Sequence, residues 1–276
     1  MLRALLASLK ISAGSQSTQG KKRGFALLSA WILIGQLLGL ATVLERELIR
    51  PPSAAAGVNS ISANGSEGSA TATGTGAFAI GVDAVAHGFK ATALGASAQA
   101  VNDGATAIGR QANAAGYVSF AAGSFANATG NAATAIGRRA NAAGSNSFAG
   151  GSYANASGAG SVAIGDRSNA SGSNAIAIGI NSVANSAGSI AIGTANARAG
   201  SAIAMGTGAN ASESSAVAIG ASSKAGGYGA IALGLAANAD GGYSTAIGIE
   251  TSAAGSSATA LGSYAIGSGN YATAVG

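Results

Sequence analysis

Glycine returns every 14 residues through most of this chain, and that beat narrows the possible folds more than any other feature. It ends a short Ala-x-Ala-apolar unit at Gly81, Gly95, Gly109, Gly123, Gly137, Gly151, Gly165, Gly179 and Gly193. One step of 13 reaches Gly206, and the 14-residue spacing resumes through Gly220, Gly234, Gly248, Gly262 and Gly276. Self-similarity at a fixed short period specifies a solenoid, in which each repeat is one coil resting on its neighbours.

With each unit numbered from its glycine as position 0, a second glycine falls at position 7 in most units, for example Gly88, Gly116, Gly130, Gly158 and Gly172. Two corners, half a coil apart, leave room for one short strand in each half. Glycine accepts positive φ without steric cost, which is the expected reason for both corners, and Asn102 at position 7 is the next most tolerant residue. Positions 3 and 5 are mostly alanine, and positions 10 and 12 alanine or serine. A spacing of two puts each pair on one strand face, so these small side chains are expected to meet inside a narrow coil.

The opposite faces differ. On the first strand, position 4 is Asn113, Asn127, Asn141, Asn155 and Asn169 in five successive coils, an amide ladder suited to a wet face. On the second strand, positions 11 and 13 carry a greasy stripe: Phe78, Ile80, Leu94, Ile108, Phe120, Ile136, Phe148, Val162, Ile164, Ile176, Ile178, Ile190, Ile192, Ile203, Met205, Val217, Ile219, Ile231, Leu233, Ile247, Leu261 and Val275. Where position 11 is Phe120 or Phe148, position 13 shrinks to Ala122 or Gly150, whereas Thr106 and Thr134 are followed by Ile108 and Ile136. Side chains sharing space trade volume in this way, which predicts a crowded surrounding. Phe78 with Ile80, in the first full unit, is the exception.

Fifteen layers at about 4.8 Å make a rod of roughly 70 Å, and its apolar stripe exceeds the few hundred Å² that soluble monomers expose. Because every coil repeats the stripe, the simplest cover is another copy of the chain about an axis parallel to the rod. A dimer and a trimer both meet this requirement.

Charge separates the chain into two parts. Residues 1 to 56 hold seven Lys/Arg against Glu45 and Glu47, while from Gly57 onward seven basic and seven acidic residues balance. The array therefore offers no extended basic face to phosphates, and nucleic acid is not an expected partner. Arg3, Lys10, Lys21, Lys22 and Arg23 precede an uncharged, largely apolar run from Phe25 to Leu44. That arrangement reads as a signal sequence or signal anchor at 1–56, with small-residue cleavage sites after Ala41 or Ala56, and sends the repeat domain at 57–276 out of the cytoplasm. Membrane contact is expected only through Phe25 to Leu44, if the leader stays uncleaved.

The units Ser161-Val162-Ala163-Ile164-Gly165, Asn174-Ala175-Ile176-Ala177-Ile178-Gly179 and Ser147-Phe148-Ala149-Gly150-Gly151, each followed by small-x-small and glycine, resemble the YadA-like head repeats of trimeric autotransporter adhesins. The resemblance covers about residues 69–276. It implies an all-β, left-handed parallel β-roll solenoid, a homotrimer with the position 11 and 13 stripe as its common core, and display at the cell surface or outer membrane of a Gram-negative-type bacterium. Heads of this family commonly bind extracellular-matrix proteins or promote aggregation. No neck, heptad stalk or anchor-like segment is recognisable before Gly276, so the expectation is a partial gene product or a head held by its N-terminal apolar segment.

Catalytic chemistry finds no residues to use. His87 is the sole histidine and stands at position 6, a surface position, so no Ser-His-Asp set can be completed. The acidic residues are scattered singly and cysteine is absent, which gives neither a metal site nor a cofactor site. The expectation is therefore a non-enzymatic protein. Phe125, Tyr153 and Tyr264 at position 2, with Phe89, Tyr117, Tyr228, Tyr243 and Tyr271 near positions 8 and 9, are candidate partner anchors or corner covers. Arg110, Arg138, Arg139 and Arg167 form a local basic band whose default role is solubility. A second reading, an ice-binding solenoid, rests on Thr92, Thr106, Thr134, Thr245, Thr259 and Thr273 at position 11. A third, a purely structural envelope component, shares every feature of the adhesin and lacks only a ligand.

Overall fold

The computed structural model describes residues 59–61 and 68–276; the leader, its apolar run and the domain boundary near residue 57 lie outside the described residues. Among these residues the chain is all-β and contains no helix. Two parallel sheets run the length of the array, one of 16 strands and one of 15. Every second strand belongs to the same sheet, so the chain crosses from one sheet to the other at each corner, as a solenoid requires. Three-residue strands such as Val162–Ile164 occupy positions 11 to 13, and two-residue strands such as Asn169–Ala170 occupy positions 4 and 5.

Identical positions stack. Val162 pairs with Ile176 and Ile164 with Ile178, while Asn155 pairs with Asn169 on the other sheet. In register, strand N–H groups donate to the following coil, as Val162 N does to the Ala175 carbonyl at 2.9 Å. Corner N–H groups donate to the preceding coil, as Gly165 N does to Gly150 at 2.8 Å and Arg167 N to Ser152 at 2.9 Å. The turns thus form ladders of their own, and the backbone of strand and corner alike is satisfied by neighbouring coils.

The interior is the predicted one. Alanines at positions 3, 5, 10 and 12, such as Ala154, Ala156, Ala175 and Ala163, are fully buried. Serine replaces alanine only at positions 3 and 10, directly after the turn, and there its hydroxyl finds the carbonyl that opens the turn. Ser147 Oγ donates to Gly144 O at 2.6 Å, and Ser168 Oγ to Gly165 O at 3.0 Å. Ser161 Oγ and Ser244 Oγ are buried and make no such bond. Removing a satisfied hydroxyl and removing an orphaned one therefore have opposite signs: Ser147→Ala is expected to lower stability by about 1 kcal/mol, and Ser161→Ala to leave it unchanged or raise it by about 1 kcal/mol. Urea denaturation of the two variants checks both signs.

The corners correct the sequence reading. Position-0 glycines do have positive φ, from +93° at Gly193 to +141° at Gly248. Gly88, Gly116, Gly158 and the other position-7 glycines do not, and neither does Asn102. What position 7 demands is close approach: a Cβ on Gly158 would lie 2.0 Å from the carbonyl oxygen of Gly172 in the next coil. The left-handed conformation falls instead at positions 2 and 9, two residues past each corner glycine. Non-glycine residues hold it at φ of 52° to 61°, among them Val118, Phe125, Arg139, Tyr153 and Arg167. Each costs of order 1 kcal/mol, offset by the ladder bond of the same residue's N–H, as from Phe125 N to Arg110 O at 2.9 Å.

The step of 13 is absorbed at one such place. Gly193 and Thr194 lead directly into the fully buried Ala195, so the left-handed residue of position 2 is the one omitted. Register on both sheets survives, with Val183 paired to Asn196 and Ile190 to Ile203.

Candidate binding surface

The position 11 and 13 side chains point away from the coil, on the outer face of the three-residue strands. None of the stripe residues is buried: Ile108, Ile136 and Ile164 are 38%, 43% and 40% exposed, and Ile176, Ile178, Ile190 and Ile192 are half-buried by their neighbours above and below. Summed over the array this is on the order of 1,000 Å² of continuous apolar surface, against roughly 300–600 Å² for the largest patch of a typical monomer. The volume trade has a local cause. A Cβ on Gly150 would lie 2.8 Å from the Phe148 ring, so the ring of position 11 lies over position 13 of its own strand. Crowding by a second molecule is not needed to explain that pairing.

The amide ladder forms as expected on the opposite sheet. Asn113 Nδ2 donates to Asn127 Oδ1 at 2.8 Å, Asn127 to Asn141 at 2.8 Å, Asn141 to Asn155 at 2.7 Å and Asn155 to Asn169 at 2.8 Å. Val183 takes the next rung, and Asn169 reaches Asn185 at 3.0 Å instead. Five aligned amides joined by four hydrogen bonds polarise one another and stiffen this face.

The position-2 aromatics and the arginines, separate features in the sequence, interleave in the structure. The Arg110 guanidinium lies 4.4 Å from the Phe125 ring centroid, with Arg139 at 5.5 Å from the same ring. Around the Tyr153 ring, Arg138, Arg139 and Arg167 stand at 4.6, 5.5 and 5.7 Å. Arg138 Nη1 also donates to Tyr153 Oη at 2.9 Å, and that hydrogen bond, aided by the charges of Arg138 and Arg139, holds the phenol below its usual pKa. Spectrophotometric titration should therefore find a tyrosine that ionises at lower pH than an ordinary one. It should be lost in Tyr153→Phe and move to higher pH in Arg138→Ala.

Other candidates stay apart. Tyr228 and Tyr243 meet edge to face at 5.4 Å on the second corner, both exposed. Lys224 pairs with Asp240 at 2.7 Å; desolvation pushes the Asp240 pKa up, but the Lys224 and Asn238 hydrogen bonds outweigh it and the net shift is downward. His87 is exposed and shares a hydrogen bond of 2.7 Å with Thr73. Among the described residues no three His, Cys, Asp or Glu side chains converge, and no helix is long and apolar enough to cross a membrane.

A stack of near-identical coils with an Ala/Ser interior, whose distinctive side chains all face outward, is a presentation scaffold. The family described as YadA head domain repeat (2 copies) matches the chain at residues 68–84, 72–98, 86–112, 128–154, 142–168, 156–182, 170–196, 197–223, 225–251 and 240–265. The chain belongs to this family, and is an adhesin-like head of the trimeric autotransporter type with parallel β-roll repeats. The family is one of non-enzymatic adhesins. No curated protein matches the chain.

Proposed function

We propose that this chain works as a homotrimeric, exported adhesin head, displayed at the cell surface or outer membrane, that attaches to host or matrix proteins or clumps cells. The observation that carries the reading is the uncovered apolar stripe, repeated in register from Phe78 to Val275. Three copies packed around an axis parallel to the rod shield these side chains together, and the amide ladder and the corners then face outward. Repeated shallow contacts along a rigid rod add up to useful avidity even when each is weak. Export is supported by the cationic flank and apolar run of the leader, Phe25 to Leu44.

Solid-phase binding of the purified repeat domain to collagen, fibronectin and laminin, alongside settling of cells that display it, tests this function. Binding or clumping supports it; failure of both removes the adhesive role. Ice binding is disfavoured by the column itself, where Thr134 stands between Phe120 and Phe148 and breaks any flat threonine array. Absence of thermal hysteresis is the expected result.

A further inference from the structure

The corner built from Arg110, Phe125, Arg138, Arg139, Tyr153 and Arg167 exceeds what solubility requires. Four of the seven basic residues after Gly57 gather here within five coils. All four arginines are exposed, while Phe125 and Tyr153 are half-buried between them. Stacking on a ring holds a guanidinium in place; Arg138 spends one N–H on Tyr153 Oη and Arg167 one on Asp166, and the other N–H groups of each guanidinium are available to a planar or tetrahedral oxyanion. The nearby carboxylate is Asp166, held by Arg167 at 2.7 Å, so the corner keeps a net positive charge. Arg110, the Arg138/Arg139 pair and Arg167 are successively two coils apart, which sets three cationic rungs about 10 Å from one to the next.

At the Arg110 end, a shallow hollow is lined by Ser97, Gln99, Gln111, Asn113 and the Phe125 ring. Amide side chains beside an aromatic edge offer donors and acceptors to hydroxyl groups. We propose that this corner is a binding track for a linear anionic polysaccharide, whose sulfate or carboxylate groups sit on the three arginine rungs while a sugar unit occupies the amide-lined hollow. Single-stranded nucleic acid fits less well, because base stacking needs open ring faces and here guanidinium groups cover Phe125 and Tyr153. A lipid surface fits less well too, since the rings that would insert are held beneath the arginines. The site is independent of any matrix-protein contact, which can fail or succeed without it.

The test measures binding of the full chain to immobilised heparin, hyaluronate, a single-stranded oligonucleotide and phosphatidylserine vesicles, at about 0.15 M salt. Heparin or hyaluronate binding that falls about tenfold in Arg138→Gln/Arg139→Gln, but less than about twofold in the distant Arg198→Gln and Lys90→Gln, is the expected result. The choice between heparin and hyaluronate tells sulfate from carboxylate recognition. If the double variant fails to fold, Arg110→Gln and Arg167→Gln, at opposite ends of the track, should each weaken binding about threefold. The proposal is overturned by absence of polysaccharide binding, by equal losses in the distant variants, or by tighter binding of the oligonucleotide or vesicles. It is equally overturned if the corner variants change assembly state rather than affinity.

Discussion

Gly158→Ala is expected to lower the stability of the array by about 3–5 kcal/mol, at the upper end for a single substitution. Only one methyl group is added, and φ at Gly158 lies outside the left-handed region, so backbone preference is not the cause. The methyl would stand 2.0 Å from the Gly172 oxygen and 2.4 Å from its carbon, both backbone atoms of the next coil. Ordinary contact needs more than an ångström of extra separation, and the coils are tied at that corner by hydrogen bonds from Ser157 N and Gly158 N to Ala170 O. Opening the corner therefore strains the Asn155 to Asn169 rung and the Val162 to Ile176 pairing beside it. Gly165→Ala adds a second cost, because φ there is +125° and its Cβ would meet Gly179 O at 2.6 Å.

Gly242→Ala is the control: nothing lies within 4 Å of its Cβ, and its φ is ordinary. That variant should stay within about 0.5 kcal/mol of the parent or gain slightly, since alanine reduces unfolded-state freedom. Stability in a stacked array is a sum of nearest-neighbour terms. Guanidinium denaturation of Gly158→Ala should therefore show an earlier or split transition, and unchanged unfolding would refute the stacking account of position 7.

The second large effect concerns assembly. Ile176→Asp with Ile190→Asp is expected to convert the proposed trimer to monomers while the coils themselves persist. Both side chains already face outward in the single chain, half-buried by their neighbours along the stripe, so the monomer loses about 1 kcal/mol of strand preference at each. In a trimer the two substitutions place six carboxylates around one axis, each costing several kcal/mol when buried without a partner. That sum exceeds what a non-covalent interface supplies. Burial raises a carboxylate pKa, so any remaining trimer should be favoured by acid, where the groups are neutral, and lost as pH rises. Ala143→Asp, exposed at position 6 beyond the two-residue strands, should leave assembly unchanged. Size-exclusion chromatography with light scattering reads both variants; an unchanged trimer in the double variant would remove the stripe from the interface.

Much of the fold was legible because the coil obeys two simple periods. Alternation within each half distinguished Ala163 and Ala177 inside from Ile164 and Ile178 outside, and the 14-residue beat put Asn141 over Asn155 before any hydrogen bond was seen. The left-handed positions were harder. Glycine at position 9 in Gly104, Gly160, Gly188 and Gly229, and at position 2 in Gly208, was the available signal, but Val118 at position 9 and Phe125 and Tyr153 at position 2 hide it, because ladder bonds to the preceding coil let bulky residues hold that conformation. The position-7 glycines are spaced like conformational glycines and serve as contact glycines, a distinction that requires knowing what lies in the adjacent layer. Spacing likewise put Arg139 and Tyr153 on one corner, but the choice between a solvated guanidinium and one stacked on a ring is made by side-chain rotamers that a repeat pattern does not encode.

Sedimentation equilibrium of the wild-type repeat domain tests the central claim most directly, because the outward apolar stripe either is or is not shared between copies. The account predicts a single species at three times the chain mass that persists at micromolar concentration. A well-folded species at the mass of one chain, with the stripe in open water, would contradict it.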